Sequence, residues 1–319
     1  MVKKGSTIQF LLKGMAVGES IAYLPVREQE KLLRGKSDHE LKWGTQTSLA
    51  LTTTASLSRG YQLADVMIHL QNWYKKRQYA PMGTIQDVDV VTKQALENYT
   101  KNRDILAAGI GTDDADSENI LSRMLPVSLY LYHQVGVSFI NDEPAMLMLH
   151  RIAGLTHNDE GALVSVGMLS LIVSQILDGH LISDAVENGL AFGFEYYSRH
   201  QVFVNELTAF YDLNLPDFSN IPADKIELNG KASPTLEAVI WSLLNSDSYT
   251  QAVEKSLIHG HSNSIVPTLV SAIAAIYYKD DLVLEFGQNL VSKRVITTVI
   301  GQAERSSRFN LLNKPTNLG

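Results

Sequence analysis

Apolar residues recur three and four apart along most of this chain, a spacing that buries one face of a helix and leaves no alternating face for a sheet. It runs from Thr47 to Leu70, Asp87 to Leu96, Asn119 to Gln134, Gly161 to Leu177, Thr235 to Leu244 and Ser264 to Tyr278. Alternating patterns closed by hairpin turns are scarce. The expected fold class is therefore all-α, a compact multi-helix arrangement. Helix punctuation agrees: Ser233-Pro234 offers a cap with proline in the first turn, and Ser246, Asp247 and Ser248 offer one before Tyr249 to Ile258. The least regular stretch, Leu213 to Ser233, holds Pro216, Pro222 and Gly230 and reads as a long loop or excursion, placed where two lobes would part. No fixed-period repeat is present, so the simplest reading is one domain spanning residues 1–319.

With 45% hydrophobic and 19% charged residues, the 319-residue chain matches a folded globular protein. A net charge of −7 argues against a broad basic surface for nucleic acid or acidic lipid. The absence of cysteine removes disulfides, thiolate metal sites and cysteine nucleophiles, and points to a reducing, cytoplasmic setting. Near the start, Lys3 and Lys4 precede an apolar stretch, but Lys13 interrupts it and no small-residue cleavage pattern follows. Leu163 to Leu177 comes nearest to a membrane span. Ser165, Ser170, Ser174 and Gln175 interrupt it and Asp178 closes it, so a buried core helix and no membrane association are expected.

Five blocks carry a resemblance. Pro234 to Tyr278 places a glycine and a short polar run, GHSNS, ahead of a helix rich in small residues. Upstream lie Lys13 to Val26 (KGMAVGESIAYLPV), Trp43 to Leu51 (WGTQTSLAL), Glu118 to Pro126 (ENILSRMLP) and Leu155 to Leu163 (LTHNDEGAL). Together, and in this order, they resemble the ADP-ribosylglycohydrolase family: its first-helix Gly-Asp-Ala-Leu-Gly segment, its Trp-Thr-Asp-Asp-Thr motif, its Asn-Gly-x-x-Met-Arg-x-x-Pro segment, its Thr-His segment and its C-terminal Asp-Thr-Asp-Thr motif. The resemblance implies an orthogonal helical bundle with a cleft, in which two Mg²⁺ ions held by the two acidic motifs position ADP-ribose and a water. Hard divalent cations need such oxygen ligands, and their charge needs carboxylates.

The carboxylates are missing here. The match sets Gly44 at the family's metal-binding Thr, Thr45 and Gln46 at its Asp-Asp pair, and His261 and Asn263 at the last Asp pair, with Ser262 and Ser264 in place of Thr. Glu19 replaces the first-helix Asp, and the later family Glu falls at Val26, two residues from Glu28. Neutral amides and hydroxyls do not offset two Mg²⁺ ions, so neither bound metal nor another cofactor is expected. Three rescues are open: His157, His259 and His261 as a nitrogen-rich metal site, the acidic loop Gly111 to Asp116 (GTDDAD) as a displaced motif or a helix cap, and Glu19 or Glu28 as a metal-free general base.

What the resemblance leaves is recognition. Thr45, Gln46, Thr47, Arg123, His157 and the run Gly260, His261, Ser262, Asn263, Ser264 become ligand-binding candidates, the last run at a helix start where free N–H groups favour an anion or where Ser264 simply caps. Tyr196, Tyr197, Phe203, Phe210 and Tyr211 would stack an adenine or fill the core. The expected function is a divergent member that binds ADP-ribose, an ADP-ribosylated partner or an ADP-ribosyltransferase. The alternatives are an active ADP-ribosyl hydrolase with an altered or metal-free site, and purely structural use of the scaffold.

Overall fold

The structure, a computed structural model, describes residues 5–35, 39–112, 115–137, 139–259 and 264–309. Its helices are α1 (Thr7–Ala22), α2 (Val26–Leu33), α3 (Thr45–Leu57), α4 (Leu63–Lys76), α5 (Val90–Asn102), α6 (Asn119–Val135), α7 (Glu143–Ala153), α8 (Glu160–Asp178), α9 (Ile182–Ser198), α10 (Ala232–Leu244), α11 (Tyr249–Leu257), α12 (Ile265–Tyr278), α13 (Asp281–Phe286) and α14 (Lys293–Arg305). The fold is all-α. Among the described residues, extended pairing is confined to two isolated bridges, Leu41 with Leu290 and Ile110 with His157.

The helical spacing from Thr47 to Leu70 resolves into two helices, because Gly60 at φ +105° turns the chain between α3 and α4. Helix α3 is buried along its whole length although it is rich in threonine. Thr52, Thr53 and Thr54 each donate a side-chain hydrogen bond to the carbonyl four residues back, so their hydroxyls enter the core already satisfied. Helix α8 is apolar and long enough to cross a membrane, and here it is mostly buried against α9, α6 and α10.

Helix α1 packs closely along α12. A methyl group on Gly14 would stand 2.8 Å from the Ala275 Cβ, and one on Gly18 would stand 2.3 Å from the Pro267 carbonyl oxygen. Ser271 locks the seam: its hydroxyl donates to the Gly14 carbonyl at 2.7 Å and pairs with the Tyr249 hydroxyl at 2.8 Å. The expected Ser233 cap is not used. Helix α10 begins at Ala232, which sets Ser233 and Pro234 inside its first turn, and Asp116 accepts from the Ala232 N–H at 3.3 Å. Ser248 does cap α11. The excursion from 213 to 233 is a series of short 3₁₀ turns folded onto α10, whose Trp241 indole donates to the Ile221 carbonyl at 2.8 Å.

The aromatic cluster is core for its larger part. Tyr196, Tyr197 and Phe210 are buried, whereas Tyr211 lies exposed and stacks on Phe194. Within it, the His150 imidazole meets the Tyr197 hydroxyl at 2.8 Å, and burial, aided by His200, pushes its pKa down to about 4.

Two predictions follow from this packing. Gly18→Ala must part α1 from α12 against backbone rather than a flexible side chain, so it should lower stability by roughly 1–3 kcal/mol, read as a shift in the denaturant midpoint. For His150, the unfolded chain accepts a proton near pH 6.5 that the folded chain refuses until about 4, so its contribution to stability is lost as pH falls across that window. The wild-type advantage over His150→Phe should therefore shrink from pH 7 to pH 4.5, by at most about 1.4 kcal/mol per pH unit. A difference that stays constant with pH would contradict the buried neutral imidazole.

Candidate functional site

Four helix ends converge on a polar cluster where the resemblance expects the cleft, and one carboxylate joins two of them. Glu19, on α1 and fully buried, accepts the Gln46 N–H at 2.9 Å through Oε1 and the Thr47 N–H at 3.0 Å through Oε2. These are first-turn amides of α3, whose N-cap residue Gly44 has no side chain to offer them. Glu19 thus caps α3 from a distant helix and sets a full negative charge on the positive end of its dipole. The Tyr23 hydroxyl lies 3.4 Å from Glu19 Oε1 and 3.3 Å from Ser264 Oγ, which ties in the start of α12. Burial first, and the Glu19 charge second, hold the Tyr23 phenol well above the usual tyrosine range.

The residues after the cap line the cleft. Thr45 Oγ1 donates to the Gln86 carbonyl, fastening the connector before α5, where Asp87 adopts a left-handed conformation at φ +51°. The Gln46 amide spends one end on Asn119 Oδ1 of α6, at 2.8 Å, and its Oε1 is buried without a partner. The Thr47 hydroxyl is buried and unpartnered as well.

On α6, Arg123 is wholly buried and reaches the end of α7. It donates to the Ile152 and Ala153 carbonyls at 3.1 and 2.9 Å, and to Thr156 Oγ1 at 2.7 Å. Burial pulls its pKa down to about 10, so it stays a guanidinium at neutral pH. The Thr156 hydroxyl in turn meets His157 Nδ1 at 2.8 Å. Nε2 lies 3.6 Å from Asp89 Oδ1, beyond hydrogen-bond length, and has no partner. Burial holds the His157 pKa well below the usual histidine range, with Asp89 opposing the shift. Two more buried groups here lack partners, the Ser122 hydroxyl and Arg123 Nε.

The structure therefore brings together Glu19, Thr45, Gln46, Thr47, Arg123, His157 and Ser264. Gly260, His261, Ser262 and Asn263 lie outside the described residues. Ser264 does not cap α12 with its side chain; its hydroxyl meets Tyr23 instead. Glu28 stands apart, on the exposed face of α2 in a 2.7 Å ion pair with Lys31 that lowers its pKa. His259 packs edge-on against Trp241, and His157 shares no metal-capable cluster with it: among the described residues no group of three or more His, Asp or Glu side chains is arranged to hold a metal ion. Of the acidic loop, Asp113 and Asp114 lie outside the described residues, and Asp116 pairs with Lys231 at 3.2 Å beside its bond to Ala232. Sequence reasoning did not single out Tyr23, Asn119, Ser122 or Asp89. Tyr23, at the end of α1, follows Glu19 by four residues and Asn119 precedes Arg123 by four, the spacing that shares a helix face, whereas Ser122 is the immediate neighbour of Arg123.

The model of the ADP-ribosylglycohydrolase family matches residues 5–302. The chain belongs to that family. It is similar to the ADP-ribosylarginine hydrolase Tri1 of Serratia proteamaculans (strain 568), 21% identical over 94% of this chain and 78% of that protein. It is also similar to the Tri1 of Pseudomonas putida (strain GB-1), 24% identical over 75% of this chain and 61% of that protein. Among solved structures, an ADP-ribosylglycohydrolase-related protein complex superposes with a TM-score of 0.68 at 19% identity, covering 96% of this chain and all of that one, which shows the fold.

Two Mg²⁺ ions, the expectation for this family, do not suit the described residues. Where the resemblance sets the first acidic pair there are a threonine bonded to a carbonyl and a glutamine bonded to an asparagine. Of the nearby carboxylates, Glu19 accepts an α3 N–H at each oxygen, and Asp89 lies 3.6 Å from His157 Nε2. The buried groups without a hydrogen-bond partner here, Gln46 Oε1, Thr47 Oγ1, Ser122 Oγ, Arg123 Nε and His157 Nε2, include no carboxylate to offset a divalent charge. The Glu19 geometry gives a direct prediction. Glu19→Gln turns one acceptor into a donor facing an N–H, so it should destabilise the fold by about 1–3 kcal/mol in a thermal melt, equally with and without Mg²⁺. A variant that melts like wild type would remove Glu19 from the capping role.

Proposed function

We propose that this ADP-ribosylglycohydrolase family member recognises ADP-ribose, free or attached to a modified protein, without metal ions, and acts by binding rather than by cleaving the glycosidic bond. One observation carries the reading. Five buried polar atoms on α3, on α6 and in the 156–157 turn, namely Gln46 Oε1, Thr47 Oγ1, Ser122 Oγ, Arg123 Nε and His157 Nε2, have no hydrogen-bond partner among the described residues. A buried polar group left unsatisfied costs roughly 1–3 kcal/mol, so a set of this size calls for a hydrogen-bonding occupant. A guanidinium N–H, an imidazole nitrogen, two hydroxyls and one amide oxygen complement a ligand rich in hydroxyl and phosphoryl oxygens, as ADP-ribose is.

Glu19 does not serve as the general base in this reading. Each Glu19 oxygen accepts an N–H of α3, which assigns the side chain to holding the helix start. The names of the relatives favour a second reading, hydrolysis of ADP-ribosylarginine. Calorimetric titration with ADP-ribose, first with chelator and then with Mg²⁺, separates the two. The expected result is the same Kd in both conditions and at least a tenfold loss in Gln46→Ala. Binding that requires Mg²⁺, together with release of ADP-ribose from a modified arginine substrate, would establish the hydrolase instead, and no binding in either condition would refute both.

A further inference from the structure

The opposite end of α3 carries a second, differently charged cavity. Thirteen residues at 1.5 Å per residue set it about 18 Å from the cleft. Its volume is about 300 Å³, and Ser58, Arg59, His69, Tyr79, Gln302 and Arg305 line it, drawn from the ends of α3 and α14, from α4 and from the connector that follows α4. The Arg308 guanidinium adds to the same region, since it rests against Gly60 within 3.0–3.2 Å of where a methyl group would stand.

The charges here do not cancel. Asp65 is the acid in contact: it pairs with Arg59, accepts the Ser56 hydroxyl at 2.6 Å, and lies 3.3 Å from His69 Nδ1. One carboxylate thus accompanies the two guanidinium groups of the lining, and Arg305 has no ion-pair partner among the described residues. Cations at the ends of α3 and α14 suit the helix dipoles, which accounts for their sign. It does not account for a cavity between them, nor for its aromatic wall, in which the His69 and Tyr79 rings lie within 7° of parallel with centroids 6.4 Å apart. The connector is held in an unusual shape to present that wall. Arg77, Tyr79 and Met82 all have positive φ, and the Tyr79 carbonyl is fixed by the Ser48 hydroxyl at 3.1 Å.

We propose that this cavity binds a phosphorylated small molecule with a planar ring, the phosphate held by Arg305 and Arg59 and the ring laid on the Tyr79 face. Arginine forks match phosphate oxygens, and the volume is that of the smaller ligand sites. The cavity is independent of the cleft, and neither reading requires the other. AMP is the probe, with adenosine as its uncharged counterpart, titrated by calorimetry into wild type, Arg305→Ala, Gln302→Ala and the cleft variant Gln46→Ala. Arg305 lies at the exposed end of a helix, so its variant should fold, checked by an unchanged melt. The expected result is saturable AMP binding that weakens with added salt, falls at least tenfold in Arg305→Ala, weakens in Gln302→Ala and is unchanged in Gln46→Ala. Absence of AMP binding, adenosine binding as tightly as AMP, or loss of binding in Gln46→Ala but not in Arg305→Ala would each overturn the proposal.

Discussion

The contact on which the architecture turns is the close approach of α1 to α12. Two glycines on one face of α1 let its backbone settle against the Pro267 and Ser271 region, and a serine hydroxyl bonded to a main-chain carbonyl fixes the register. Helices usually meet at 8–10 Å between axes, a distance set by intervening side chains, and removing those side chains lets the axes come closer. Moving α1 by even a methyl group would carry Glu19 and Tyr23 with it, and with them the cap on α3 and the contact to Ser264. The glycines therefore matter to the cleft as much as to the core, although neither touches it.

Helix α3 is the second element that everything meets. It is polar by composition, yet it crosses the middle of the molecule, because its threonines turn their hydroxyls back on their own backbone. Its first turn opens into the cleft and its last turn borders the basic cavity. The connector from Arg77 to Asp89 runs past both, with Tyr79 at one end and the Gln86 carbonyl and Asp89 at the other.

Much of the fold was legible because buried faces on helices leave a periodic trace. The class, most helix cores and the Ser248 cap followed from spacing and punctuation alone. Two boundaries were not legible. The break at Gly60 hid inside an unbroken apolar rhythm, and α10 takes its cap from Asp116, far away in the chain, rather than from Ser233 beside it. The five ordered blocks put Glu19, Gln46, Arg123 and His157 forward as candidates, and the structure sets Glu19 against Gln46 and joins Arg123 to His157 through Thr156. Their roles were not legible, since a role depends on which atoms are already engaged. Arg123 spends three contacts on α7 and Thr156, and Thr156 carries the chain on to His157 Nδ1. No pattern in sequence records such a hand-off.

The carboxylate that closes α3 also joins two helices electrically. Glu19 is fully buried and accepts the Gln46 and Thr47 N–H groups, so an acidic side chain introduced at position 45 or 46 would meet a like charge close by and would weaken the helix start unless a cation came with it. In such a variant the stability of the fold and the binding of a cation would be linked, and each could be read through the other.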